Sequence, residues 1–118
     1  MKITTLIYNA LSSSSPVHSN FREAFRIMKL YYAIEDCKKS KNHLDIIHEL
    51  YETPTLAERR KTLPGIAMSF FISVNSLIRY KKDYIDTFCI CYERVTGKVL
   101  PRGKKELLRA LKNELQQK

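Results

Sequence analysis

Between residues 43 and 52 the chain carries His43, Asp45, His48, Glu49 and Glu52, residue types that bind a divalent metal or shuttle protons. Their spacing argues against both. Histidines four apart on a helix share a face and can converge on zinc, whereas His43 and His48 are five apart and diverge. His48 and Glu52 are one turn apart, which predicts a surface hydrogen bond between them. Cys37, Cys89 and Cys91 form neither a Cys-x-x-Cys pair nor an even disulfide framework. On a helix, Cys89 and Cys91 point roughly 200° from each other, so buried free thiols in a reducing cytoplasm are expected. There is no glycine-rich phosphate loop, and no Ser, Cys or Lys has a recognisable base beside it. The sequence predicts no enzyme, no catalytic residue, no metal and no cofactor.

Charge is the stronger signal. The 118 residues carry a net charge of +9, which on a small domain attracts polyanions. From Met1 to Glu58 there are seven Lys/Arg against seven Asp/Glu; from Arg59 to Lys118 there are fourteen against five. The whole excess falls in the second half. A single domain spanning 1–118 is expected, with residues 1–58 as a neutral packing or dimerisation half and 59–118 as a basic half that meets a polyanion.

Three glycines, four prolines and no Asn-Gly or Asp-Gly hairpin signal predict an all-α bundle of about five to six helices. Ile3 to Leu11 reads as a short helix or a strand, followed by a loop from Ser12 to Pro16. The apolar patch of MKITTLIYNALSSSSPV is interrupted by Thr4, Thr5, Tyr8 and Asn9, too weak for a secretory signal, and a cytoplasmic location is expected. Asn20 and Glu23 stand at capping-box spacing before a helix reaching about Cys37, with Phe21, Phe25, Met28 and Tyr32 as its buried stripe. Leu44, Ile47, Leu50 and Tyr51 mark a second helix ending before Pro54. Thr55 to Glu58 would open a third, at capping-box spacing again. A long helix should stop near Gly97, and a last one, from Arg102 to Lys118, carries Leu107, Leu108, Leu111 and Leu115 on one face.

The segment Gly65 to Lys82, GIAMSFFISVNSLIRYKK, is apolar and then abruptly basic. Its uncharged run, Leu63 to Ile78, is 16 residues long, shorter than the roughly 20 a membrane helix needs. It also contains Pro64, Gly65, Ser69, Ser73, Asn75 and Ser76, so no membrane span is expected. Aromatic and β-branched residues from Phe70 to Val74 make a poor helix interior, and Ser73 is a natural N-cap, which predicts a break from Phe71 to Ser73. With that break, Ile66, Ala67, Phe70, Ile72, Ser73, Leu77, Arg79 and Tyr80 resemble the helix-turn-helix of bacterial and phage DNA-binding regulators. Ala67 lets the two helices approach, Ile72 plugs the space under the turn, Ser73 caps the second helix and Leu77 anchors it. The family's turn glycine is Phe71 here; a positive φ at such a residue costs on the order of 1 kcal/mol.

The resemblance implies that Val74, Asn75 and Ser76 face base edges of duplex DNA, with Asn75 suited to adenine, while Arg79, Lys81 and Lys82 meet phosphates. Arg59, Arg60 and Lys61, together with Lys98, Arg102, Lys104, Lys105 and Arg109, add phosphate contacts. The expected function is a small DNA-binding transcriptional regulator, pairing as a homodimer to read two half-sites. The alternatives are a protein-interaction module docking on an acidic partner and an RNA-binding helical protein, the last requiring exposed tyrosines among lysines.

Overall fold

Phe21, Ala24, Phe25, Met28 and Tyr32 recur at steps of three and four and are all buried along one helix, Ser19–Lys39. The computed structural model that shows this describes residues 2–53 and 62–116. They form α1 (Ile3–Ser12), a 3₁₀ turn (Pro16–His18), α2 (Ser19–Lys39), α3 (His43–Ile47) widening into a π turn (His48–Glu52), α4 (Leu63–Ser69), α5 (Val74–Thr96) and α6 (Lys104–Gln116). No strand occurs among the described residues, and the fold is all-α. No helix there is long and apolar enough to cross a membrane.

The two long helices, α2 and α5, run antiparallel. Phe21, near the start of α2, meets Phe88 and Tyr92 at ring separations of 5.7 and 5.0 Å. Tyr32, three turns on, meets Tyr84 at 4.9 Å and shares a 3.0 Å hydrogen bond with Thr87. The neutral and basic halves of the chain therefore share one hydrophobic core, which α1, α3 and α6 close from the sides with Leu6, Ile7, Ile46, Ile47, Leu107 and Leu111.

Helix boundaries depart from expectation where neighbouring turns intervene. Asn20 does not cap α2. Pro16 opens a 3₁₀ turn whose cap, Ser15, accepts the Val17 N–H at 3.3 Å. That turn runs straight into α2 at Ser19, so no extended cap residue exists, and Glu23 pairs with Arg26 at 2.6 Å instead. Helix α2 continues to Lys39 and ends on Ser40, which has a left-handed φ of 51°. Asp36 then caps α3 from a distance, its carboxylate accepting the backbone N–H groups of His43 (2.9 Å) and Leu44 (3.0 Å). In the second helix Ile46 joins Ile47, Leu50 and Tyr51 in the core, while Leu44 is half-buried. The helix expected to open at Thr55 lies outside the described residues.

Helix α5 stops as expected at Gly97, whose φ of 75° lets its N–H reach Glu93 O at 2.8 Å. The Glu93 carboxylate then organises the connection to α6, accepting Leu100 N–H at 2.6 Å and a two-pronged Arg102 guanidinium at 2.9 and 3.2 Å. The Arg102 hydrogen bond, followed by that from the Leu100 backbone, holds the Glu93 carboxyl below its ordinary range. Cys89 and Cys91 are buried, and burial pushes the Cys89 thiol up to about 11. Cys37 is exposed, contrary to expectation. It lies five residues past Tyr32, the last member of the buried stripe, and so falls off that face.

Candidate nucleic-acid interface

Helix α4 begins at a threonine cap, Thr62 Oγ1 accepting the Gly65 N–H at 3.2 Å, with proline in its first turn. It ends where Phe70, Phe71 and Ile72 turn their N–H groups back on its last carbonyls, Ile72 N–H reaching Ala67 O at 3.0 Å. Ser73 is extended, and its Oγ accepts the Ser76 N–H at 3.0 Å to cap α5. The break thus falls at Phe71 to Ser73. Ile66, Ala67 and Leu77 are buried, and Ile72 packs half-buried on the core. These are the contacts that let the short α4 meet the first turns of the long α5 at a tight turn.

Phe71 takes a left-handed φ of 57° and its side chain is 97% exposed. Its N–H still reaches Met68 O at 3.1 Å, a bond glycine keeps, but its ring is left in solvent. The left-handed geometry costs about 1–2 kcal/mol for a residue with Cβ, and glycine costs about 0.4–1 kcal/mol through a freer unfolded chain. Phe71→Gly is therefore expected to stabilise the protein by about 0.5–1 kcal/mol, read as a higher urea midpoint at unchanged slope. A lower midpoint would mean the Phe71 ring is held by contacts that its exposure conceals.

Beyond the turn, Asn75, Arg79 and Lys82 stand at i, i+4 and i+7 and are exposed along one face of α5. Arg79 lies 5.9 Å from the Tyr80 ring. Among the described residues Asn75 makes no side-chain hydrogen bond, and Arg79, Lys81 and Lys82 have no ion-pair partner. From Arg59 to Lys82 the sequence contains no Asp or Glu. The other two expected base contacts are placed differently. Val74 is half-buried against the core, and the Ser76 hydroxyl accepts from Ser73 Oγ at 2.9 Å within the cap.

Lys81 emerges half-buried from the opposite edge of α5. Its ammonium is held below the ordinary lysine range by burial first, then by repulsion from Lys2 and Lys104. The starts of α1 and α6 thus bring two more lysines to the same part of the surface, with Lys105 exposed beside them. Lys2 carries no signal in the sequence. It sits in the neutral half, and no sequence spacing connects it to residues 81 and 104.

Other cations are already engaged. Arg102 is bound by Glu93, and Lys98 donates to Glu114 at 3.0 Å. Arg109 is exposed on α6, while Arg59, Arg60 and Lys61 lie outside the described residues. The histidines separate: His43 Nδ1 meets the Tyr84 hydroxyl at 2.6 Å, whereas His48 lies on the surface. His48 Nδ1 is 3.6 Å from Glu52 Oε1, too long for the hydrogen bond expected there, while Lys29 takes the other carboxylate oxygen at 3.0 Å. In comparisons with known proteins, no family model, no curated protein and no solved structure matches the chain.

Proposed function

We propose that the chain is a small duplex-DNA-binding protein, a transcriptional regulator that uses α4 and α5 as a helix-turn-helix. The observation that carries this reading is the alignment of Asn75, Arg79 and Lys82, exposed and unpaired, on the first turns of a helix that starts from a tight turn. The free amide of Asn75 offers the paired donor and acceptor that adenine presents in the major groove. Arg79 and Lys82 then meet phosphates on either side, and the start of α5 adds the positive end of its dipole. Lys81, Lys2, Lys104 and Lys105 extend the basic surface beyond the reading helix. The RNA alternative gains less support, since the exposed Tyr31 has three carboxylates around it, Glu35, Asp83 and Asp86, against one lysine, Lys39.

Titrating the full chain against a mixed duplex library at increasing salt tests the proposal. Binding at low salt that weakens linearly in log–log form is the expected result. Absence of binding at low salt sinks the reading and leaves the acidic protein partner in its place. Once a preferred sequence is selected, Asn75→Ala should cost about 1–3 kcal/mol at one base position and leave the salt slope unchanged. If it lowers thermal stability and spares discrimination, Asn75 is structural and another residue reads the base.

A further inference from the structure

Beside the face that carries Asn75, Arg79 and Lys82, a cleft of about 330 Å³ opens between α2 and α5. Its walls are aromatic: Tyr31 and Tyr32 from α2, Tyr80 and Tyr84 from α5, and His43 from α3. Several of these rings stand nearly perpendicular. Tyr31 and Tyr32 meet at 83°, Tyr32 and Tyr84 at 88°, and His43 and Tyr80 at 82°, with centroids 4.9–5.1 Å apart. The two inner hydroxyls are engaged, Tyr32 with Thr87 at 3.0 Å and Tyr84 with His43 at 2.6 Å. These bonds fix the inner wall, and Tyr31, 51% exposed, stands at the mouth.

Three carboxylates share the cleft, Glu35, Asp83 and Asp86. Glu35 is paired with Lys39 at 2.9 Å, whereas Asp83 and Asp86 have no ion-pair partner among the described residues. Arg79 and Lys82 stand one turn before them on α5 and Arg102 acts on Asp86 through space, but none forms an ion pair with either aspartate, so both carboxylates remain open to an added cation. Aromatic faces supply the second half of a cation site, because a ring quadrupole attracts an organic cation, the more so where water is displaced. The volume lies at the lower end of the range for small-molecule sites. It suits a methylated ammonium or a guanidinium head.

We infer that this cleft binds an organic cation of the alkylammonium or guanidinium type, held between the tyrosine rings and neutralised by Asp83 and Asp86. The cation reaches it either as a free amine or as a lysine or arginine side chain of a peptide. This inference does not rest on DNA binding, although Asp83 and Asp86 follow Arg79 and Lys82 by one turn on the same side of α5.

The test is NMR titration of the full chain, following the ring protons of Tyr31 and Tyr80, with tetramethylammonium, spermidine and a short arginine peptide. At least one probe should give saturable shifts that equal concentrations of sodium chloride do not. Asp83→Asn with Asp86→Asn should weaken that binding roughly tenfold or more, and Tyr31→Ala by a similar factor. Tighter binding of spermidine or tetramethylammonium assigns the site to a free amine; tighter binding of the peptide assigns it to a side chain. Because Tyr31 is half-exposed, its variant keeps the fold and reports on the site even if the double aspartate variant does not. No saturable shift with any of the three probes, or equal shifts in the Tyr31→Ala protein, overturns the inference.

Discussion

Phe21→Ala is expected to lower the free energy of unfolding by about 3–5 kcal/mol. Phe21 is 1% exposed, in the first turn of α2, with its ring against both Phe88 and Tyr92 on α5. Truncation removes the transfer energy of a phenyl group and leaves a cavity that two large aromatic rings cannot fill by small rotations. It also loosens Tyr92, whose hydroxyl donates to Glu114 on α6 at 2.9 Å, so the damage extends from the α2–α5 contact to the closing helix. A domain of this size is stable by about 5–15 kcal/mol, and a loss of this order takes a large fraction of it. Urea unfolding followed by far-UV circular dichroism checks the value. Phe21→Leu, which retains most of the volume, should cost less than about 1.5 kcal/mol. A loss below 1 kcal/mol for alanine, as an order of magnitude for surface sites, would mean that α2 and α5 do not meet through these rings.

The second large effect concerns polyanion binding. Replacing Arg79, Lys81 and Lys82 together with glutamine should reduce the log–log salt slope by about 2.7, at about 0.9 per phosphate contact. Across a fourfold rise in salt the parent protein then loses about fortyfold more affinity than the variant. The fold should survive. Arg79 and Lys82 are exposed and unpaired, and Lys81 is already disfavoured as a cation by burial and by Lys2 and Lys104. A group whose folded pKa is lowered in this way destabilises the folded state while it is charged. Lys81→Gln alone should therefore raise stability below the ordinary lysine pKa, with the gain disappearing as pH rises through that value. An unchanged salt slope in the triple variant would move the phosphate contacts away from α5.

The parts of this structure that the sequence made legible are those fixed by neighbours in the chain. The stripe from Phe21 to Tyr32, the Ser73 cap and the Gly97 stop each depend on residues within about one turn, or on one helical period. Failures arose where a local signal had a competitor. Asn20 and Glu23 have the right spacing for a capping box, but the 3₁₀ turn at Pro16 had already started the helix. Val74 has the right position to meet a base, but it faces inward because Leu77, three residues on, marks the buried side. What lay out of reach was tertiary: Lys2 beside Lys81 and Lys104, and Tyr31 across from Tyr80. Each requires the packing of helices that share no sequence pattern.

Helix α5 is 23 residues long, a rod of about 35 Å. Along its exposed side, Arg79 and Lys82 come first and Asp83 and Asp86 follow at once. That order places a sign change one turn wide on a rigid element. In the field of a polyanion such a rod experiences a torque as well as an attraction: the early turns are drawn in while the later ones are pushed away. The molecule would arrive already rotated with the start of α5 leading, and the search over orientations that slows most docking events would be shortened before any contact forms.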